Sequence, residues 1–254
     1  MKIVRMQTNE GIAYGTVEPE GIRVYQGSPL VHWEATDVFV KFGDIQLLSP
    51  VLPSKVVAIG RNYVDHAAEF NNPVPEEPLI FLKPSTSVIG PGQPVLYPKL
   101  TKDLQYEGEL VVVIGAVARH VPAEDVGQVI LGYTVGNDMT ARDLQRKDVQ
   151  FTRGKGFDTF CPLGPAIETE FDAAEGMSLI TRVNGEVRQD GSTADLVFGV
   201  AELIEYVTSV MTLLPGDVIM TGTPGGVGPV QPGDRMDVEI EGIGTLTNTV
   251  VAAS

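Results

Sequence analysis

The chain predicts a β-rich α+β protein, for three reasons. Glycine (28) and proline (18) are plentiful among 254 residues, which favours many turns between short strands over long helices. Runs such as Val56-Val57-Ala58-Ile59 and Leu110-Val111-Val112-Val113-Ile114 have the length and β-branched content of buried strands. Only one segment, 199–213, carries a convincing amphipathic helical pattern, with Val200, Leu203, Ile204, Val207 and Met211 at core spacing.

In chain order, residues 2–26 read as short strands turning at Glu10-Gly11 and Glu20-Gly21, followed by a polar stretch over 27–53 that ends in Ser49-Pro50-Val51-Leu52-Pro53. Residues 1–54 therefore read as a small N-terminal β-domain and 55–254 as the main one. Val56 to Gly60 is a buried strand leading into a short helix from Asn62 to Phe70, with Asn62 as its N-cap. The segment Asn71-Asn72-Pro73-Val74-Pro75 forbids its continuation, so the helix is a candidate mobile lid. Strands follow at 79–83, 105–115 and 131–137, then a helix from Thr140 to about Lys147 and a strand at 164–170. Asn184-Gly185 between two apolar runs signals a type I′ hairpin, and Pro-Gly-Asp turns at 215–217 and 232–234 bracket the last strands.

A net charge of −15 repels nucleic acid and anionic membrane surfaces, so neither is expected as a partner, and an anionic substrate needs a local cationic site. Cys161 is the only cysteine, which excludes an intrachain disulfide and a cysteine-rich zinc site and fits a reducing cytoplasm. The N-terminus lacks the apolar core of a signal peptide, and no apolar run is long enough to span a membrane.

Glu107 and Glu109 share one face of a strand, and that face continues as Val111 and Val113. Two carboxylates directed toward an interior repel each other, and either one takes up a proton or a cation neutralises both. The alternative is a half-exposed strand with a charged outer face. The segment Met236-Asp237-Val238-Glu239-Ile240-Glu241 shows what that looks like, since its acids alternate with apolar residues throughout. Gly108 leaves the opposite face open to close approach. Asp138, at the end of a strand, reads alone as a helix N-cap. Combined with Glu107 and Glu109 it supplies a third oxygen ligand, and such a set suits Mg2+ or Mn2+ rather than zinc.

His66 and Glu69 share a helical face as a possible general-base pair, or as a solvated surface pair. Arg142 and Gln145 lie on the helix just after Asp138, where an arginine can grip a carboxylate in two places. Lys155 stands between two glycines, either reaching inward or exposed on a loop. His32 and His120 read as structural. The segment Thr221-Gly222-Thr223-Pro224 could offer donors to an anion but lacks the pattern of a nucleotide loop. No serine elbow is present and Cys161 has no adjacent histidine, so hydrolysis by a side-chain nucleophile is not expected.

From about Lys55 onward the sequence resembles the fumarylacetoacetate hydrolase family. The marks are Gly60-Arg61-Asn62-Tyr63 with His66 and Glu69, Phe81-Leu82-Lys83-Pro84, Glu107-Gly108-Glu109-Leu110, Asn137 to Gln145, Lys155 to Phe160, and Thr221-Gly222-Thr223-Pro224. The resemblance implies a mixed β-roll, a homodimer, and one Mg2+ or Mn2+ per subunit held by Glu107, Glu109 and Asp138. It also implies substrate contacts from Arg61, Arg142, Gln145 and Thr223, with His66, Glu69 and Lys155 catalytic and the first two on a closing lid. The implied activity is metal-dependent carbon–carbon cleavage of 2-oxo acids, of the acylpyruvate hydrolase or oxaloacetate decarboxylase type. Nearly as similar are 2-hydroxyhepta-2,4-diene-1,7-dioate isomerases and the associated tricarboxylate decarboxylases. A non-catalytic binding protein stabilised by its metal is the alternative of another class. Val149-Gln150-Phe151 departs from the Gly-Gln-Trp common in relatives, near the lysine.

Overall fold

The computed structural model describes residues 1–69 and 73–253. The architecture is β-rich, with few short helices. At its centre runs the strand Gly108–Ile114, flanked by Ile130–Asn137 on one side and Val218–Met220 on the other, both antiparallel to it. Beyond Val218–Met220 lie Val56–Gly60, in parallel, and then Leu79–Lys83 at the sheet edge. Beyond Ile130–Asn137 lies Cys161–Glu168, which carries the N-terminal strands onward and makes one twelve-stranded sheet.

A central strand covered on both faces must be apolar, and from Leu110 to Ile114 this one is, with Glu109 the one charged position at its start. Leu110, Val112 and Ile114 enter one core with Val57, Ile59, Ile219 and the helix Val200–Val210. Val111 and Val113 enter another with Val56, Ala58, Leu163 and Met220. The helix has 11 residues, too few to be stable alone, and it is held by burying Leu203, Ile204 and Val207. Each such side chain contributes about 1.5–3 kcal/mol.

A five-stranded sheet, ordered Glu186–Ser192, Ser178–Val183, Arg235–Ile240, Gly244–Ala252 and Val95–Tyr97, packs against the central strand. The hairpin at Asn184-Gly185 has both residues at positive φ, 53° and 84°, as a type I′ turn requires. The two sheets approach closely at Gly108, where a Cβ would lie 2.2 Å from Thr181 Oγ1 and 2.9 Å from Val238 Cγ1.

Several boundaries differ from the sequence expectation. The polar stretch after residue 26 contains the strand His32–Val40, which is largely exposed and so lacks an apolar alternation. It is held by its ladder to Gly21–Ser28 and by Trp33 stacked on Tyr25 at 4.1 Å. His32 lies exposed at its start, beside Glu34. The N-terminal strands have a small core of Val4, Met6, Ile22 and Ala166, and Lys2 and Ile3 pair with Glu168 and Ile167, so the large sheet runs through them without a break. The strand expected over 105–115 divides at Glu107, whose N–H goes to the Asn137 side chain at 2.9 Å instead of a ladder. The helix after Asp138 begins at Arg142, because Thr140 and Ala141 pair with Gln105 and Leu104.

Asn62 does not cap the short helix that follows it, which is Val64–Glu69. Its amide is buried, donating to Phe198 O at 3.0 Å and Thr221 O at 2.8 Å and accepting from Phe198 N at 2.8 Å, which pins the chain just before the helix to the core. Phe70, the expected last residue of that helix, lies outside the described residues, as do Asn71 and Asn72.

Candidate metal centre

Two adjoining segments assemble the acidic group. Glu107 and Glu109 flank Gly108 at the start of the central strand, and Asp138 follows the end of its neighbour, where Asp138 N donates to Glu107 O at 2.8 Å. Ligand oxygens of Glu107, Glu109 and Asp138 all lie within 4.8 Å of one another, and all three residues are buried. Asp138 is no helix cap, since the helix begins four residues later.

Three cations answer these acids, and only two of them were singled out from the sequence. Lys155 Nζ lies 2.6 Å from Glu107 Oε2 and 2.5 Å from Asp138 Oδ2. Its glycine neighbours permit this: Gly154 packs on the Gln145 backbone and Gly156 on Thr152 O, which brings the short helix Thr152–Lys155 inward. Arg142 donates to Glu107 Oε1, to Gln145 Oε1 at 2.6 Å and to Gln105 Oε1 at 2.9 Å, so it grips Glu107 and not Asp138. Lys83, at the end of the edge strand, is fully buried and pairs with Asp138 Oδ1 and with Met139 O at 3.2 Å. A lysine closing the otherwise apolar run Leu79-Ile80-Phe81-Leu82 was the signal in the sequence that pointed to it.

Glu109 is treated differently from its neighbours. It accepts Gly222 N at 2.8 Å and makes no ion pair among the described residues. The glycine-rich segment thus serves an anion of the chain itself, and Gly222, at φ 105°, lets the loop approach Asn62. Burial, with Asp138 and Glu107 beside it, holds the Glu109 carboxyl well above the usual carboxylate range. Burial pushes Glu107 upward too, but Lys155, Arg142 and His66 outweigh it, and its carboxyl sits well below that range. For Lys155, burial favours the neutral amine, but Asp138 and Glu107 prevail and keep the ammonium.

These observations fit a hard divalent cation. The donors are three carboxylates, and one of them lacks a cationic partner among the described residues, which a bound ion would supply.

A cavity of about 320 Å3 opens beside this centre, lined by Arg61, His66, Phe81, Glu107, Arg142, Gln145, Arg146, Phe151 and Lys155. Phe81 and Phe151 meet edge to face at 5.6 Å, and Lys155 Nζ stands 5.1 Å from the Phe81 ring centroid. Arg61 is held at φ 59°, a left-handed conformation rare for arginine. His66 faces this cavity with Nδ1 3.5 Å from Glu69 Oε2, while Glu69 Oε1 accepts Gly226 N at 3.0 Å. Burial lowers the His66 pKa, with Glu107 opposing, so the ring is neutral at neutral pH. Thr223 lies elsewhere: its hydroxyl donates to Gly108 O at 2.8 Å and accepts Gln189 Nε2 at 2.7 Å, and it does not line the cavity. The Cys161 thiol is buried and pushed up to about 12, which makes it no nucleophile.

Residues 55–251 match the family described as fumarylacetoacetate hydrolase, C-terminal, and residues 1–50 match one described as Rv2993c-like, N-terminal. Protein Rv2993c of Mycobacterium tuberculosis is 44% identical over 266 residues, covering 99% of this chain and 98% of that protein. Human mitochondrial oxaloacetate tautomerase FAHD2A is 46% identical over 220 residues, covering 82% of this chain and 70% of the relative. The crystal structure of a 5-carboxymethyl-2-hydroxymuconate delta-isomerase from Mycobacterium smegmatis superposes with a TM-score of 0.93 at 46% identity, over 100% of both chains. With the family match over residues 55–251, these relatives and the β-rich fold in agreement, this chain belongs to the fumarylacetoacetate hydrolase family.

Proposed function

We propose that the protein is a Mg2+- or Mn2+-dependent enzyme that cleaves a carbon–carbon bond in small anionic 2-oxo acids, as an acylpyruvate hydrolase or oxaloacetate decarboxylase. The observation that carries this reading is the cavity itself: four cations and a neutral histidine converge next to a buried carboxylate that has no ion pair among the described residues. Glu107, Glu109 and Asp138 would hold the ion. A bound divalent cation supplies Lewis-acid stabilisation of negative charge on the 2-oxo oxygen.

The side chains supply the rest. Arg61, Arg142 and Arg146 attract the substrate's carboxylate against a strongly negative protein. The Lys155 ammonium, with two of its donors on Glu107 and Asp138, stabilises charge developing on the enolate oxygen. Phe81 and Phe151 exclude water from one wall. For an acylpyruvate, His66, backed by Glu69, takes a proton from water as the water attacks the distal carbonyl, and pyruvate enolate leaves. For oxaloacetate, carbon dioxide departs without a nucleophile, the bonding pair stays on the enolate, and the carbon then takes a proton from solvent beside His66.

A second reading has its own support, because the similar Mycobacterium smegmatis structure is that of an isomerase and the human relative is a tautomerase. Both names describe proton transfer without carbon–carbon cleavage, which His66 and Lys155 could also perform. Assays of pyruvate release from oxaloacetate and from acylpyruvates, with added Mn2+ or with chelator, decide between them. Metal-dependent pyruvate supports the cleavage reading. Enol consumption without pyruvate supports the isomerase. Metal-dependent melting with no turnover on any 2-oxo acid makes this a binding protein.

We further infer a cytoplasmic homodimer. The lone buried thiol suits a reducing compartment, and among the described residues no helix is long and apolar enough to cross a membrane. The edge strand Leu79–Lys83 exposes Leu79 and Leu82. Light scattering that returned the mass of a single chain would refute the dimer.

A further inference from the structure

We propose that Gln189 is a positioning residue for the metal centre, acting with Thr223 to fix the peptide groups between Glu107 and Glu109. The inference rests on the divalent-metal reading above. It begins with Gly108. A side chain there is excluded, since its Cβ would meet Thr181 and Val238. Glycine is also the residue whose backbone turns most freely, and here it links two ligand carboxylates. A rotation of either adjoining peptide would swing Glu107 and Glu109 apart.

The ladder alone does not prevent this. Gly108 is paired with Asn137 on one side, but the ladder to Val218–Met220 on the other side starts only at Val111. Side chains take its place. Gln189 Oε1 accepts Gly108 N at 3.0 Å, and the Thr223 hydroxyl donates to Gly108 O at 2.8 Å. Gln189 Nε2 closes the loop by donating to Thr223 Oγ1 at 2.7 Å and to Pro224 O at 2.9 Å.

Gln189 is placed for this purpose. It sits in Glu186–Ser192, an edge strand of the five-stranded sheet, and is the only fully buried residue of that strand. A polar amide buried alone on an exposed strand is sustained by its hydrogen bonds, and here every one of them leads to Gly108 or to the segment that binds Glu109. The second sheet thereby sets the spacing of ligands carried by the first. Groups that orient metal ligands in this way typically change metal affinity by about 10–100-fold when removed.

The test measures Mn2+ affinity by the electron paramagnetic resonance signal of free Mn2+, beside the melting temperature in chelator, on the full chain. Gln189→Met keeps the length and removes every hydrogen bond, and Thr223→Val removes the hydroxyl with little change of shape. Asp217→Asn, distant from the centre, serves as a control that destabilises the fold. The expected result is Mn2+ binding weakened about 10–100-fold in Gln189→Met and weakened in Thr223→Val, with the Asp217→Asn affinity unchanged. If Gln189→Met fails to fold, Thr223→Val decides by the same criterion. Wild-type affinity in the folded variants, or an equal loss in the control, overturns the proposal while leaving the metal reading intact. Absence of Mn2+ binding in the wild type overturns both.

Discussion

Changing Glu109 to glutamine should strengthen the metal-free fold while abolishing the metal site. Glu109 is buried, makes no ion pair among the described residues and has Asp138 and Glu107 for neighbours. In the unfolded chain this carboxyl ionises near 4.5. Holding it protonated in the folded state at about pH 7 costs at most about 3 kcal/mol, because each pH unit is worth about 1.4 kcal/mol. Glutamine has the same shape, can still accept Gly222 N through its carbonyl oxygen, and offers an NH2 group to the neighbouring carboxylates. The expected gain is therefore about 1–3 kcal/mol, and for a chain of this size each kcal/mol raises the melting temperature by about 2–4 °C. Differential scanning calorimetry in chelator, then with added Mn2+, reads both effects. The variant should melt higher than the parent in chelator and gain nothing from metal. A lower melting temperature in chelator would refute the view that Glu109 is an uncompensated charge kept for a ligand.

Gly108→Ala should lose at least about 1–3 kcal/mol by overpacking against Thr181 and Val238, and urea unfolding measures it. It should also weaken Mn2+ binding, since the strand must shift. Asp217 is buried in a knot with Lys55, Ser54 and Leu214, which joins the starts of two strands of the central sheet. Burial pushes its carboxyl up, but Lys55 and the hydrogen bonds outweigh it, so its folded pKa lies below the unfolded value. Its stabilisation is therefore complete above about pH 4 and is lost as pH falls through the folded pKa. Asp217→Asn should cost about 3 kcal/mol at neutral pH and flatten the acid limb of the stability profile. A profile in acid with the parent's slope would contradict this. His66→Ala should reduce acylpyruvate hydrolysis by about 10²–10⁴-fold and oxaloacetate decarboxylation by less, because only hydrolysis needs a base to activate water. Equal losses would remove the division of roles.

What could be read from the sequence was whatever depended on neighbours along the chain. The two-residue period of Glu107 and Glu109 with Val111 and Val113 located the acidic face, and Asn184-Gly185 marked its hairpin. What could not be read depends on contacts between distant segments. Lys83 meets Asp138 across 55 residues and Gln189 meets Gly108 across 81, and neither partner alters the local pattern around the other. Asn62 looked like a cap because caps and buried staples use the same amide, and only the presence of Phe198 and Thr221 distinguishes them. The exposed strand His32–Val40 left no apolar alternation to detect.

The central claim is that Glu107, Glu109 and Asp138 hold a divalent cation beside a cavity built for an anion. Isothermal titration of the chelator-treated protein with Mn2+, repeated on Glu109→Gln and Asp138→Asn, tests it most directly. Saturable binding of one ion per chain in the wild type, lost in both variants, is the predicted result. Equal heats for all three proteins, or none in the wild type, would contradict it.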